Sequence, residues 1–199
     1  MRYPINNILL MVCIFTTISC ENKKDRVAIA EAHNDSKFND SEKENDAHDL
    51  VMAAESLLRE IQLSKLAQNN SVRQDVRTTG KMLQTEYVRL YGSLRDIADK
   101  KTITIPTELS NPDKKTYNDL SYEIANDFDK KYFELSENDH KAAIYRFEAI
   151  KAKSTDQAIK TWTEAALPVL RKNLGILLIF HQTMNHVTDT ITKINPFQL

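Results

Sequence analysis

Apolar residues recur every three or four positions along four stretches of the chain, which is the pattern of helices that bury one face. The first helix is predicted over about 46–69, and its stripe comprises Leu50, Ala54, Leu57, Ile61 and Ser64. The second is predicted over about 71–101 and opens on the capping-box pattern Ser-Val-Arg-Gln at residues 71–74. Its inward positions are Val72, Val76, Met82 or Leu83, Leu90, Leu94 and Ile97.

Two further helices are predicted over about 112–153 and 155–189. Pro112 stands at a first helical position, and residues 154–157 repeat the capping-box pattern. The links after residues 69 and 153 are short, so each joins an antiparallel pair, whereas the longer link at 102–111 can cross the bundle. The sequence therefore predicts an all-α fold, an antiparallel four-helix bundle over residues 46–190 with a tail at 191–199.

Composition supports this fold and excludes some functions. The chain contains 3 Gly and 5 Pro in 199 residues, too few for the many turns of a β-rich protein. Lys and Arg number 27 against 28 Asp and Glu, a net charge of −1. Because proteins that grip many phosphates usually carry a basic excess, nucleic acid is not an expected partner. No Gly-rich phosphate loop or nucleophile elbow occurs, so no enzyme class is indicated.

The N-terminus has the layout of a lipoprotein signal peptide over residues 1–19. Arg2 precedes an apolar run at residues 8–15, which is too short to span a bilayer comfortably. Cys20 directly follows Ser19 and resembles the bacterial lipobox cysteine, although Thr17 replaces the usual Leu. We expect lipid on Cys20 to attach the protein to a membrane. A plain signal peptide cut elsewhere is the alternative.

Residues 20–45 are rich in charged and polar residues, which predicts a flexible tether. Residues 23–25, Lys-Lys-Asp, are similar in part to the signal with which some Bacteroidota move lipoproteins to the cell surface. An ordinary charged tether is the competing interpretation. The expected location is the cell envelope at the outer membrane, with the leaflet left open.

Several short motifs carry a resemblance to a known family. They are residues 60–67 (EIQLSKLA), Met82-Leu83, Phe128, Asp129 and Tyr132, Asp139-His140, Phe147-Glu148, and Pro168 within residues 167–170. Over about residues 49–181 the chain resembles the bacterial domain-of-unknown-function family 4142, exported proteins often described as outer-membrane proteins. The resemblance implies a ferritin-like four-helix bundle and supplies no activity. The chain departs from the family pattern at Thr85-Glu86, where Asp-His is common, and at Asn173, where His is common.

Four polar residues fall on the apolar stripes, one in each predicted helix: Glu60, Glu86, His140 and Asn173. Buried polar groups are costly unless they are paired, so such a layer needs partners, water or a metal. Glu137 and His140 also form one Glu-x-x-His motif, but a di-iron site needs a second. Two interpretations stay open, namely a hydrogen-bonded layer that fixes helix register, and a single zinc, iron or manganese ion held by Glu60, Glu86 and His140.

Two functions follow from these features. The first is a lipid-anchored, non-enzymatic envelope protein that acts as a structural, stress-related or partner-binding module, its partner being an envelope protein. The second is a metal-binding ferritin-like protein with a degenerate or mononuclear site.

Overall fold

The computed structural model describes residues 25–194, apart from the side chains of residues 125, 126 and 185–194. Over this range the chain forms six α-helices and no strand, which confirms the predicted all-α helical bundle. The helices are α1 (Arg26–Asp35), α2 (Ser41–Asn70), α3 (Gln74–Lys100), α4 (Asn111–Ser121), α5 (Ala125–Lys153) and α6 (Gln157–Ile194). The predicted signal peptide, Cys20 and residues 195–199 of the predicted tail lie outside the described residues.

Four long helices form a closed ring in the order α2, α3, α6, α5. Helix α2 packs against α3 and α5, and α6 packs against the same two helices, so α2 and α6 are diagonal to each other. The largest fully buried side chains are Tyr87, Tyr132, Phe128, Phe133, Phe147, Leu50, Leu57, Leu63, Leu83, Leu94, Ile150 and Ile159. Burying each such side chain contributes about 1.5–3 kcal/mol, so this core is the main source of stability.

The two ends of the ring are fixed by contacts between links. At the Lys101 end, where α2 begins and α3 ends, Lys101 hydrogen-bonds to Asp156 in the α5–α6 link. At the Ser71 end, which carries the α2–α3 link, Asn70 Nδ2 donates to the carbonyl of Ser121 at 3.1 Å. The chain therefore crosses the length of the bundle once, between α3 and α5. Neighbouring helices in the ring are antiparallel.

The predicted third helix is in fact two helices, α4 and α5, separated at residues 122–124. Ile124 has an extended backbone, with φ −118° and ψ 146°, and it is 76% exposed, while Tyr122 is 83% exposed. The apolar stripe runs on through these positions, which is why periodicity alone predicts one helix. Helix α4 instead packs on α2 and α5 as part of the crossover, and the chain must turn before α5 can enter the ring.

The predicted tether contains an ordered helix, which corrects that expectation. Helix α1 packs on α2, and Asp25 caps it by accepting a hydrogen bond from the Val27 amide at 2.9 Å. Asn34 anchors its far end through two bonds of 2.8 Å with the backbone of Thr104. The charged residues after position 40 are the first turns of α2, not a linker. The composition of this segment does not predict a helix, because only two residues of α1, Ala30 and Asn34, are buried.

The other helix bounds differ from the predictions by a few residues. Arg73, rather than Ser71, is the residue before α3, and Ser71 Oγ accepts from the Arg73 amide at 3.1 Å within the link. Helix α6 continues to Ile194 and includes Pro168 on an exposed side. Proline has no backbone N–H, so one carbonyl in the preceding turn loses its hydrogen-bond donor. On this exposed side of the helix, water can take the place of that donor.

Candidate functional site: a polar layer inside the bundle

Each long helix contributes one polar side chain to a layer in the centre of the ring. Glu60 comes from α2, Tyr87 from α3, His140 from α5 and Asn173 from α6. Glu60 is 2% exposed and the other three are 0% exposed. Polar groups so deeply buried are costly unless they have hydrogen-bond partners.

Hydrogen bonds join these residues across the ring. Asn173 Nδ2 donates to the Tyr87 hydroxyl oxygen at 3.0 Å, and the Tyr87 hydroxyl is hydrogen-bonded to His140 Nε2. On the other side of the imidazole, Nδ1 donates to the carbonyl oxygen of Ser136 at 2.6 Å. Nδ1 must carry a proton because a carbonyl oxygen can only accept. Glu60 Oε1 lies 3.4 Å from the same nitrogen and completes the layer.

The charges in the layer favour a protonated imidazole. Burial, the largest single effect, acts to lower the pKa of His140, but Glu60, the Ser136 carbonyl and the charge of Asp139 together outweigh it, and the net shift of that pKa is upward. Burial, and then the negative charge of Glu60, also raise the pKa of the Tyr87 hydroxyl well above its usual value. The phenol therefore stays neutral and serves as a hydrogen-bonding bridge between α5 and α6.

The family-motif residues of α5 extend this layer towards the Ser71 end. Phe128, Asp129 and Tyr132 are all 0% exposed, and the rings of Phe128 and Tyr132 stack with centroids 6.1 Å apart. Burial and the charge of Glu60 raise the pKa of Tyr132. Burial also raises the pKa of Asp129, although the hydroxyl of Ser71 opposes the shift. Asp129 thus lies near the α2–α3 link, and neither of its buried carboxylate oxygens has a hydrogen-bond partner among the described residues.

Two predicted layer residues lie elsewhere. Glu86 is on the α3–α6 surface, where it forms an ion pair with Lys172. Glu137 pairs with His181 Nδ1 of α6 at 2.7 Å, a hydrogen bond that holds the pKa of Glu137 below its usual value. The core stripe of α3 passes through Leu83 and Tyr87, and position 86 is rotated by about 100° from Tyr87, away from the layer. The Glu-x-x-His motif consequently does not converge on one point.

The layer residue that sequence reasoning missed is Tyr87. Its signal was present, since it lies four residues after Leu83 and three before Leu90. Ser136 was also missed. Its carbonyl accepts from His140, and its hydroxyl donates to Glu60 Oε2 at 3.4 Å. Backbone carbonyls leave no sequence signal of their own.

Beside the layer, Arg59 joins three helices through two carboxylates. Its Nε lies 2.9 Å from Asp113 of α4, and its Nη1 lies 2.8 Å from Asp139 of α5. Burial, followed by repulsion from Glu60, raises the pKa of Asp139 to about 6, even though Arg59 opposes the shift. The family-motif residue Asp139 therefore holds the crossover helix α4 to the ring through Arg59.

We expect Asp139 to titrate near pH 6 in the folded protein, against 3.8 in the unfolded chain. Because the folded pKa is the higher one, its contribution to stability is fully present below pH 3.8 and is lost as the pH rises through 6. Carboxyl-carbon NMR titration measures the pKa directly. Stability of the wild type relative to Asp139→Asn should fall between pH 4 and pH 7, and titration of Asp139 near 3.8 would contradict the expectation.

The layer does not fit a metal ion. Of the three expected ligands, Glu86 lies outside it, which leaves one carboxylate and one imidazole. Both ring nitrogens of His140 already have partners within the chain. Among the side chains that the structure describes, moreover, no group of three or more His, Cys, Asp or Glu is arranged to hold a metal. Protein zinc sites normally use at least three such ligands.

Four pockets on the surface of the described chain lie away from the layer. Three pockets lie at the Lys101 end, and a fourth lies between α4 and α5. No layer residue lines any of these four. Among the helices that the structure describes, none combines the length and the apolar character needed to cross a membrane.

Comparison with known proteins identifies the family and nothing more specific. The sequence profile of a domain of unknown function, DUF4142, matches residues 31–177, or 147 of the 199 residues. No curated protein and no solved structure gives a significant match to the chain. The matched range extends from α1 to α6 and contains Glu60, Tyr87, His140 and Asn173. The chain therefore belongs to the DUF4142 family.

Proposed function

We propose that this protein is a lipid-anchored, non-catalytic component of the cell envelope whose bundle is a structural or partner-binding module. The observation that carries the proposal is the enclosed layer of Glu60, Tyr87, His140 and Asn173. Its four side chains are at most 2% exposed, and three of them are joined by hydrogen bonds that span α3, α5 and α6. A layer of this kind fixes the register of the helices and offers no open position to a substrate.

The lipid anchor is supported by the sequence before the bundle. A short apolar run precedes Ser19-Cys20, and a charged segment follows it. A single acyl chain gives marginal membrane binding, but several chains on one cysteine, at about 0.8 kcal/mol per buried methylene, anchor a protein stably. We therefore propose that the bundle lies outside the cytoplasm, attached to the outer membrane.

Cys20→Ala is expected to abolish fatty-acid labelling and to move the protein from the membrane fraction to the soluble fraction. Cys13→Ala is the matched control, because Cys13 lies within the predicted signal peptide and should be removed with it. The readouts are metabolic labelling with a fatty-acid analogue and vesicle flotation. Retention of Cys20→Ala on membranes, with its label intact, contradicts the anchor.

Metal binding is the second candidate function, and two observations favour it. The single crossover between α3 and α5 is the connectivity of ferritin-like bundles. Glu60 Oε1, which lies 3.4 Å from Nδ1 of His140, has no hydrogen-bond partner. The donor set is nevertheless too small, as described above. A stoichiometric metal ion in the native mass spectrum of residues 21–199, lost in His140→Ala, would favour this candidate over the structural layer.

A further inference from the structure

The seam between α2 and α5 carries more polar side chains than the layer itself. Glu60 and Ser64 are four residues apart on α2, and Tyr132, Ser136 and His140 follow one another at the same spacing on α5. Residues at this spacing share one face of a helix, so the two sets face each other across the seam. All five residues are at most 2% exposed. Their hydrogen-bonding groups therefore depend on partners in the interior.

Three oxygen atoms in this seam have no hydrogen-bond partner among the described residues. They are Oε1 of Glu60, Oγ of Ser64 and the hydroxyl oxygen of Tyr132. Nδ1 of His140 lies 3.4 Å from Oε1, but its proton goes to the carbonyl of Ser136. The hydroxyl of Ser136 donates to the other carboxylate oxygen, Oε2, over a long 3.4 Å. The carboxylate of this buried ion pair thus lacks donors.

The three unpaired atoms belong to one small region. Burial raises the pKa of the Tyr132 hydroxyl most, the charge of Glu60 adds to the rise, and the hydroxyls of Ser136 and Ser64 oppose it. These groups are therefore close to the phenol, yet the phenol forms a direct hydrogen bond with none of them. Polar atoms that lie close together in the interior and remain unpaired are the usual setting of an internal water molecule.

The chemistry of the three groups decides which ligand fits. The hydroxyls of Tyr132 and Ser64 each have a hydrogen to donate, whereas the ionised carboxylate of Glu60 can only accept. A ligand that satisfies all three must accept from a hydroxyl and donate to the carboxylate. A metal ion or an ammonium ion cannot accept a hydrogen bond, and the carboxylate repels an anion. Water can both accept and donate, and an internal water typically makes about three hydrogen bonds.

We propose that the seam binds an internal water molecule between Glu60, Ser64 and Tyr132. The water accepts a hydrogen bond from the phenol of Tyr132, donates one to Oε1 of Glu60, and pairs with the hydroxyl of Ser64. The small side chains of Ser64 and Ser136 leave the room that one molecule needs. This inference rests on the structural layer of the proposed function and is independent of the lipid anchor. The family-motif residue Tyr132 then belongs to the layer through the water.

A crystal structure of residues 21–199, at a resolution that shows ordered water, is the direct test. This chain contains all the described helices. We expect a water peak at about 2.6–3.2 Å from Oε1 of Glu60, Oγ of Ser64 and the hydroxyl of Tyr132. Direct hydrogen bonds among these three atoms, with no peak between them, overturn the inference. A metal ion at about 2.0–2.2 Å from the carboxylate overturns it in favour of the second candidate function.

Tyr132→Phe tests the water in solution, because it removes the hydroxyl group alone. If this hydroxyl is bound to water, its loss should lower the urea concentration at the midpoint of unfolding. An unpaired buried hydroxyl would give the opposite sign, since its removal relieves a cost. Tyr145→Phe is the matched control, because Tyr145 is 78% exposed on the same helix and its midpoint should not change. A raised or unchanged midpoint for Tyr132→Phe contradicts the water.

A double variant counts the water itself. Tyr132→Phe combined with Ser64→Ala leaves Glu60 as the remaining partner of the three, so the water should be lost. Oxygen-17 relaxation of the solvent, which detects long-lived internal water, should then report about one molecule fewer than in the wild type. Unchanged relaxation overturns the inference. If His140→Ala still destabilises the bundle strongly in that case, the structural layer stands and the water alone is wrong.

Discussion

His140→Ala is expected to lower the free energy of unfolding by about 3–5 kcal/mol, the usual cost of removing one partner from a buried ion pair. The imidazole is 0% exposed, and its raised pKa reflects the nearby carboxylate of Glu60. Alanine leaves that carboxylate without its cationic neighbour in a water-poor interior. It also removes the hydrogen-bond partner of the Tyr87 hydroxyl and opens a cavity.

His181→Ala is the matched control on a neighbouring helix. His181 is 24% exposed and pairs with Glu137 near the surface of the bundle, so its loss should cost about 1 kcal/mol or less. Urea unfolding of residues 21–199, followed by circular dichroism, measures both variants. A cost below 1 kcal/mol for His140→Ala would show that the layer does not hold the helices in register.

A double-mutant cycle separates the ion pair from the cavity. Glu60→Gln keeps the shape of the side chain and removes its charge, so His140→Ala should cost less in that background than in the wild type. Contacting residues typically show coupling of about 0.5–3 kcal/mol. A coupling near zero would mean that the packing of the imidazole, and not its charge, accounts for the loss.

Much of the layer could be predicted because helix periodicity identifies a buried face without any knowledge of the partner helix. Glu60, His140 and Asn173 stand three or four residues from apolar neighbours, and the structure places all three in the interior. The sequence does not decide which face of α3 is buried, because Met82 and Leu83 are both apolar. Either of them can belong to the buried stripe, and the two choices differ by a rotation of one residue about the helix axis. That single step decides whether Glu86 or Tyr87 faces the layer.

Other features depend on contacts between residues that are distant in sequence. Helix α1 is ordered because Asn34 bonds to Thr104, 70 positions later, and no local pattern records that bond. The break between α4 and α5 has a similar cause, since it is set by where α4 must pack in the crossover. Periodicity reports which residues can be buried, whereas the tertiary fold decides which of them are.

Gly80→Ala is expected to destabilise the protein by about 1–3 kcal/mol, the typical cost of overpacking a tight contact. A Cβ atom at position 80 would lie 2.7 Å from the backbone oxygen of Ser64 and 3.1 Å from Cβ of Ala67. Both neighbours belong to α2, so the two helices of the first hairpin would have to separate. Ser64 lies one turn after Glu60, and this separation would also disturb the wall of the polar layer.

Gly92→Ala, on the same helix, should have the opposite sign. No atom lies within 4 Å of a Cβ built at position 92, so alanine there only improves helix propensity, by about 1 kcal/mol. Both variants replace glycine by alanine in the same helix, so the gain in helix propensity is the same. The difference between their free energies of unfolding in urea therefore measures the contact of position 80 with α2. If Gly80→Ala stabilised the protein as Gly92→Ala does, α2 and α3 could not approach so closely at Ser64. Opposite signs would show that Gly80 is required for the close packing that encloses the layer.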